Sequence, residues 1–306
     1  QSKQGESATA VKKLISRDKV AVVIGANASA NSLEAAPVCQ NAHVPMMAIS
    51  STNPRVTEVG DYIFRICFID PFQGAVLAKF ARTSLKAERV ALLTANNSPY
   101  SVGLSEVLRK DFATRGGTIV AEQKYTEGEK DFRAQLTAIR AAKPDVVAAT
   151  GFYTEAALIC KQARDLGLAV PFIGGDGWEA PQLTELGGKA VEGCYYSTYF
   201  SADNDAPEVR AFVSRYKARW HNEVPEGVSA LGYDSMYLIA DAITRAGTTD
   251  GAALRAALAA TRNFPGVTGR TTIDAKRNSA KAAVMLVVKN GKSEFFEAVT
   301  DRKAHV

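Results

Sequence analysis

Three segments of the 306-residue chain carry residue types that suit the capture of a small zwitterion. Gly25-Ala-Asn-Ala-Ser29-Ala-Asn-Ser32 and Ser50-Ser51-Thr52-Asn53-Pro54 each follow an apolar run and precede a helical pattern. Hydroxyls and unpaired backbone N–H groups at helix starts receive a carboxylate well, because the dipole and the donors both favour an anion. Pro54 suits the first helical position and Asn53 the cap. The same serines serve equally as plain helix caps, so both readings stand. In the third segment, Gly174-Gly175-Asp176-Gly177-Trp178, a carboxylate flanked by glycines can take an ammonium group. The charge-assisted hydrogen bonds of such a pair contribute about 1.5–3 kcal/mol. An exposed turn aspartate is the other reading. Tyr100, Phe152, Tyr153 and Trp178 fall in comparable loops, where aromatic rings wall pockets, although most aromatics are core.

Other chemistries find no support in the sequence. The first loop has one glycine where a dinucleotide fingerprint needs three, so a pyrophosphate could not approach its backbone. There is no GxxxxGK[ST] phosphate loop, no GxSxG elbow and no HExxH pair, and no nucleophile is placed beside a base. An enzyme is therefore not expected. His43, His221 and His305 are scattered and near no paired cysteines, so neither a metal nor a cofactor is expected. The formal charge of +5 (37 basic, 32 acidic residues) is spread along the chain without a Lys/Arg block, which argues against a nucleic-acid partner. No apolar run reaches the ~18 residues of a membrane span. Cys39, Cys67, Cys160 and Cys194 form no CxxC pair, and their three possible pairings remain open. The chain starts at Gln1 without a basic-plus-apolar leader, as expected of a processed or trimmed chain.

The elements that must position these loops are legible as a pattern. At about 150 residues per domain the length suggests two domains. Short apolar runs (20–25, 45–49, 62–68, 89–94, 118–125, 146–150, 171–174, 193–199) alternate with amphipathic stretches (32–42, 72–86, 103–115, 132–142, 155–166). This alternation is the mark of βαβ units and parallel sheets, whose ligands sit at the carboxyl ends of strands. Three helices follow (208–222, 228–246, 251–261), and then two apolar runs (282–288, 295–299) flank Asn290-Gly291, a hairpin signal. A lone terminal hairpin has to pack on a sheet already built, so the chain is expected to return to an earlier one.

The order Val-Ile-Gly25…Ser29, Ile-Ser-Ser-Thr-Asn-Pro54, Ser-Pro-Tyr100-Ser-Val-Gly103, Gly-Phe-Tyr-Thr-Glu155, Phe-Ile-Gly-Gly-Asp-Gly177 and Gly-Tyr-Asp234 resembles the leucine/isoleucine/valine-binding family. These are the periplasmic substrate-binding components of branched-chain amino-acid ABC importers, and the similarity runs from the first helix to the last hairpin. The resemblance implies an α/β type I periplasmic-binding-protein fold: two doubly wound parallel-sheet lobes joined by three crossovers. The crossovers are expected near Ile69-Asp70, near Ser201-Ala202 and between Thr272 and Ala282. Lobe one would then comprise 1–69 and 202–275, and lobe two 70–201 and 276–306.

By the same resemblance Ser29 holds the ligand carboxylate, Thr52 contacts carboxylate and ammonium, and Ser50, beside Ser51, lends main-chain groups. Tyr100 is an aromatic of the second lobe and Asp176 an ammonium partner, where relatives often carry glutamate. Phe152 stands where tyrosine is frequent, with Tyr153 adjacent. Relatives begin with a strand, a ligand loop and a helix, roughly fifty residues, ahead of the segment matching Gln1; that is more than the ~30 residues a βαβ unit requires. The lobe-one sheet is therefore expected to lack its usual central strand and either to be poorly stable or to have the missing piece supplied by another chain. The implied function is an extracytoplasmic, periplasmic receptor for a neutral, branched-chain L-amino acid that delivers its ligand to a membrane permease by hinged closure. A ligand-sensing regulator or receptor domain on the same scaffold, amide sensors included, is the alternative.

Overall fold

The computed structural model describes residues 5–299. The chain divides into two compact units, 1–69 with 204–282 and 70–203 with 283–306, so it passes from one to the other three times.

In the first unit, helix α1 (Ser7–Ser16) precedes strand β1 (Val23–Gly25), helix α2 (Ser29–Asn41), strand β2 (Met46–Ala48), the single turn α3 (Arg55–Glu58) and strand β3 (Ile63–Arg65). The strands form a parallel sheet in the order β1-β2-β3, with Val23 opposite Met46 and Met46 opposite Ile63. Every residue of β2 and β3 is buried, as parallel strands covered on both faces require. Val11, Val23, Ala35, Ala36, Cys39, Met46 and Ile63 belong to one core that joins α1, α2 and the sheet. Three helices of the second segment, α9 (Pro207–Arg219), α10 (Gly227–Ala246) and α11 (Gly251–Ala259), complete the unit. The strand runs expected at 20–25, 45–49 and 62–68 each shrink to three paired residues.

The second unit holds a seven-stranded sheet. Its elements are α4 (Asp70–Thr83), β4 (Arg89–Ala95), α5 (Pro99–Thr114), β5 (Thr118–Tyr125), α6 (Arg133–Ala141), β6 (Val146–Ala149), α7 (Tyr153–Asp165), β7 (Phe172–Gly174), α8 (Pro181–Gly187), β8 (Tyr195–Thr198), β9 (Ala283–Lys289) and β10 (Lys292–Val299). The strand order is β10-β9-β8-β7-β6-β4-β5. Strands β4 to β8 run parallel, and β9 returns antiparallel to β8, with Thr198 opposite Val284 and Tyr195 opposite Val287. The terminal hairpin thus joins the earlier sheet, as the sequence requires. Its turn residues Asn290 and Gly291 both have positive φ, at 53° and 73°, the conformation that Asn-Gly turns supply. The Glu192 carboxylate accepts both of their N–H groups.

The last passage between units lies at 282/283, so 276–282 belong to the first unit rather than the second. Hydrogen bonds give the reason: Arg277 donates to the Ile63 and Thr57 carbonyls, Thr57 donates to Asn278 Oδ1 (3.1 Å), and Lys281 Nζ donates to Thr268 and Thr271. The second passage lies at 203/204, where Asp203 N–H donates to Ser201 Oγ and stays with the second unit.

Candidate functional site

The candidate residues of the first unit gather where β1 and β2 end. Because these strands are parallel, their carboxyl ends share one edge of the sheet, and the two loops that leave them meet. Ser29 is the first residue of α2, and its Oγ accepts the Asn53 N–H (3.2 Å). Ser50 Oγ donates to the Asn27 carbonyl at 3.3 Å. Thr52 is fully buried, and its Oγ1 has no hydrogen-bond partner among the described residues. A buried hydroxyl in that condition costs about 1–3 kcal/mol unless a ligand or water completes it.

Ser51 is differently employed. Its hydroxyl donates to the Ala26 and Asn27 carbonyls (2.9 and 3.0 Å) and pairs with Ser32 Oγ (2.8 Å). That side chain clasps the two loops together instead of facing a ligand. The helix expected from Pro54 is one turn, α3, beginning at Arg55, whose N–H is accepted by Asn53 Oδ1 (3.1 Å). So short a helix has almost no dipole. A positive charge near this loop comes from elsewhere.

Its source is Arg65, a residue the sequence reading passed over. Arg65 ends β3, is 0 % exposed, and donates from Nη1 to the Ser51 carbonyl (2.6 Å) and from Nη2 to the Asn53 (2.7 Å) and Pro54 (3.2 Å) carbonyls. With these carbonyls turned to the guanidinium, the loop is fixed and a positive charge lies beneath it. The signal was present: an arginine inside the apolar run Tyr62-Ile-Phe-Arg65-Ile-Cys-Phe68 must be buried, and a buried arginine must find oxygen.

In the second unit the loops after β4, β6 and β7, neighbouring parallel strands, carry Tyr100, Phe152 with Tyr153, and Asp176. The chain after β8 adds Tyr199. Asp176 is buried, and its carboxylate accepts Gln73 Nε2 at Oδ1 (2.8 Å) and Tyr199 Oη at Oδ2 (2.6 Å). Burial pushes its pKa above the usual carboxylate value; the hydrogen bonds from Tyr199, Gln73 and Tyr100 oppose that shift. Gln73 also donates to Ser197 Oγ (3.0 Å), while its Oε1 has no partner among the described residues.

Tyr100 is 3 % exposed, accepts the Gly177 N–H (3.1 Å), and lies 5.3 Å from the Phe152 ring at an interplanar angle of 32°. A Cβ on Gly175 would collide with the Tyr100 hydroxyl, and one on Gly177 would crowd the Tyr100 and Phe152 rings. Buried hydroxyls brace the start of α5 behind Tyr100: Ser101 with Thr150 (2.8 Å), Thr150 with Ser105 (2.8 Å) and Ser105 with Thr94 (2.6 Å).

Trp178 departs from its expected place. Trp178 is fully buried in the core of this unit, covers Gly174, and gives its indole N–H to the Ala149 carbonyl (2.9 Å). It packs beneath the loop and does not wall a pocket. Tyr153 is half-buried against the same core. Gln73, Ser197 and Tyr199 were also missed; a lone glutamine within Phe72-Gln73-Gly-Ala-Val76 was the available clue. Among the described residues no group of three His, Cys, Asp or Glu is placed to hold a metal, and no helix is long and apolar enough to cross a membrane.

Two α/β units, each with parallel strands whose ends carry polar loops, have the doubly wound arrangement in which ligand sites form at those loops. The chain belongs to the periplasmic binding protein family, whose model matches residues 1–293. It is 32 % identical over 240 residues to an amino acid binding protein of Pseudomonas aeruginosa; the match covers 78 % of this chain and 63 % of that relative, less than two thirds of its length. A leucine-, isoleucine-, valine-, threonine- and alanine-binding protein of the same organism is 29 % identical over 273 residues (89 % of this chain, 72 % of the relative). Among solved structures, a leucine-binding protein LivK from Thermotoga maritima superposes with a TM-score of 0.94 at 39 % identity, covering 99 % of this chain and 86 % of the other. The substrate-binding protein LivJ from Streptococcus pneumoniae, in complex with isoleucine, superposes with a TM-score of 0.92 at 33 % identity (97 % and 84 % covered). These agree with the expected family and with the type I fold; the family is one of binding proteins.

Proposed function

We propose that the chain binds a neutral, branched-chain L-amino acid outside the cytoplasm and hands it to the permease of an ABC importer, without chemical turnover. The observation that carries this reading is the division of charge preference. One unit has hydroxyls over a buried guanidinium, suited to a carboxylate; the other has a buried aspartate carboxylate, suited to an ammonium. In this reading Ser29, Ser50 and Thr52 take the α-carboxylate and Asp176 the α-ammonium. Tyr100, with Phe152 against it and Tyr153 beside that, offers apolar surface toward an aliphatic side chain. An ammonium favours the ionised form of a carboxylate that burial has made reluctant to ionise, so a cation is the ligand Asp176 favours. The relatives named for Leu, Ile and Val support the ligand class.

Calorimetric titration with the twenty L-amino acids, a few amides and a few aromatic acids tests the reading. Leu, Ile or Val should bind most tightly, with the amides silent. Binding of amides without Leu, Ile and Val would reject it and favour a sensor.

A further inference from the structure

The four cysteines leave three pairings open by sequence, and the structure distinguishes them. Cys160, on α7, and Cys194, one residue before β8, face each other within the core of the second unit with their sulfurs 3.9 Å apart, although 34 residues separate them in sequence. A disulfide needs a sulfur separation of about 2 Å. Modest rotation of two short side chains covers most of that difference. Cys39 and Cys67 lie in the other unit.

We propose that Cys160 and Cys194 are a modification site, joined as a disulfide in the mature protein. The surroundings suit the chemistry. Arg164, one turn beyond Cys160 on α7, has Nη2 at 3.7 Å from Cys194 Sγ, while its other nitrogens donate to the Leu168, Val170 and Ala190 carbonyls. The guanidinium is therefore held in place beside that sulfur. The hydrogen bond from Cys160 and the charge of Arg164 lower the Cys194 thiol pKa, whereas giving that hydrogen bond and burial raise Cys160. Cys194 is the attacking thiolate of the pair.

The oxidant is a disulfide, either of a thiol–disulfide oxidoreductase or of a small molecule such as oxidised glutathione. The Cys194 thiolate attacks one sulfur of that disulfide, forming a mixed disulfide and releasing one thiolate. The Cys160 thiolate then attacks Cys194 Sγ, closing the bond and releasing the second thiolate. Two protein thiols lose two electrons and two protons; the oxidant is reduced to two thiols. Both sulfurs are buried, so the exchange requires local opening of the folded unit to admit the oxidant.

The bond would tie together two parts of the second half-site. α7 starts at Tyr153, directly after Phe152, and β8 carries Ser197 and leads to Tyr199, the donor to Asp176. Closing a loop of this length constrains the unfolded chain and should raise the midpoint of thermal unfolding by roughly 5–10 °C.

The test is refolding of the reduced full-length chain across glutathione buffers of graded redox poise, followed by alkylation and peptide mass analysis. At oxidising poise a cross-linked peptide pair containing residues 160 and 194 should appear, two hydrogens lighter than its separate parts. Cys39 and Cys67 should remain alkylated, and the melting midpoint should rise over the reduced chain refolded in parallel. Cys160→Ser should abolish the cross-link and leave Cys194 alkylated. Four alkylated cysteines at every poise, in a chain shown by circular dichroism to have refolded, would overturn the assignment. So would a bond involving Cys39 or Cys67.

Discussion

Asp176 accepts hydrogen bonds from Gln73 and Tyr199 and still has its pKa raised by burial, so an ammonium placed beside it would change its ionisation. An ammonium favours the ionised form, so amino-acid affinity should fall on acidification, beginning above the pH at which an ordinary aspartate protonates. Tyr199→Phe removes one of the bonds that hold the pKa down, and the fall should move to higher pH; an unmoved profile would take Asp176 out of the binding equilibrium. Asp176→Asn removes the charge partner and should weaken binding by more than about tenfold at neutral pH, read by calorimetry. Arg65 is of a different kind. It is sealed beneath the 50–54 loop, and Arg65→Met leaves three carbonyls without their donor. Urea unfolding should show a loss of more than about 2 kcal/mol, and carboxylate binding should weaken with it.

At the scale of elements, parallel strand ends decide which residues meet. β4, β6 and β7 are sheet neighbours of one direction, so the loops bearing Tyr100, Phe152 and Asp176 leave from the same edge. That much was legible in the sequence: strand–helix alternation, the Asn290-Gly291 hairpin and the loop positions all follow from local pattern. The polar supports were not, because their partners are distant in sequence. Gln73 reaches Asp176 across 103 residues, and nothing local marks Trp178 as core and Asp176, two positions away, as polar site. Ser51 and Ser50 are neighbours of one type that both donate to the 26–27 carbonyls, and what separates them is the pairing of Ser51 with Ser32, 19 residues away. The glycines of the β7 loop can now be read as space for Tyr100. Gly175→Ala should displace the Tyr100 ring and cost about 1–3 kcal/mol in stability. Affinity should drop further than that loss explains, measured by calorimetry on the folded variant.

The whole molecule is built from two units whose chain segments are interleaved. Lys281, the penultimate residue before the last passage, is 3 % exposed, and burial lowers its pKa to about 8. Between about pH 8 and the ordinary lysine value of about 10.5 the unfolded chain binds the extra proton, so stability should rise with pH across that window. Below about pH 8 the burial cost is fully present. Lys281→Met should remove this slope; an identical slope in both chains would show that Lys281 is not buried as an amine.

The central claim is that a zwitterion is recognised at both ends. Its most direct test is calorimetric titration with L-leucine beside two analogues, 4-methylpentanoate without the amine and 3-methylbutylamine without the carboxylate. Leucine should bind, and each analogue should lose more than about tenfold, the loss of 4-methylpentanoate disappearing in Asp176→Asn. Equal affinity of 4-methylpentanoate and leucine for the unaltered chain would contradict it.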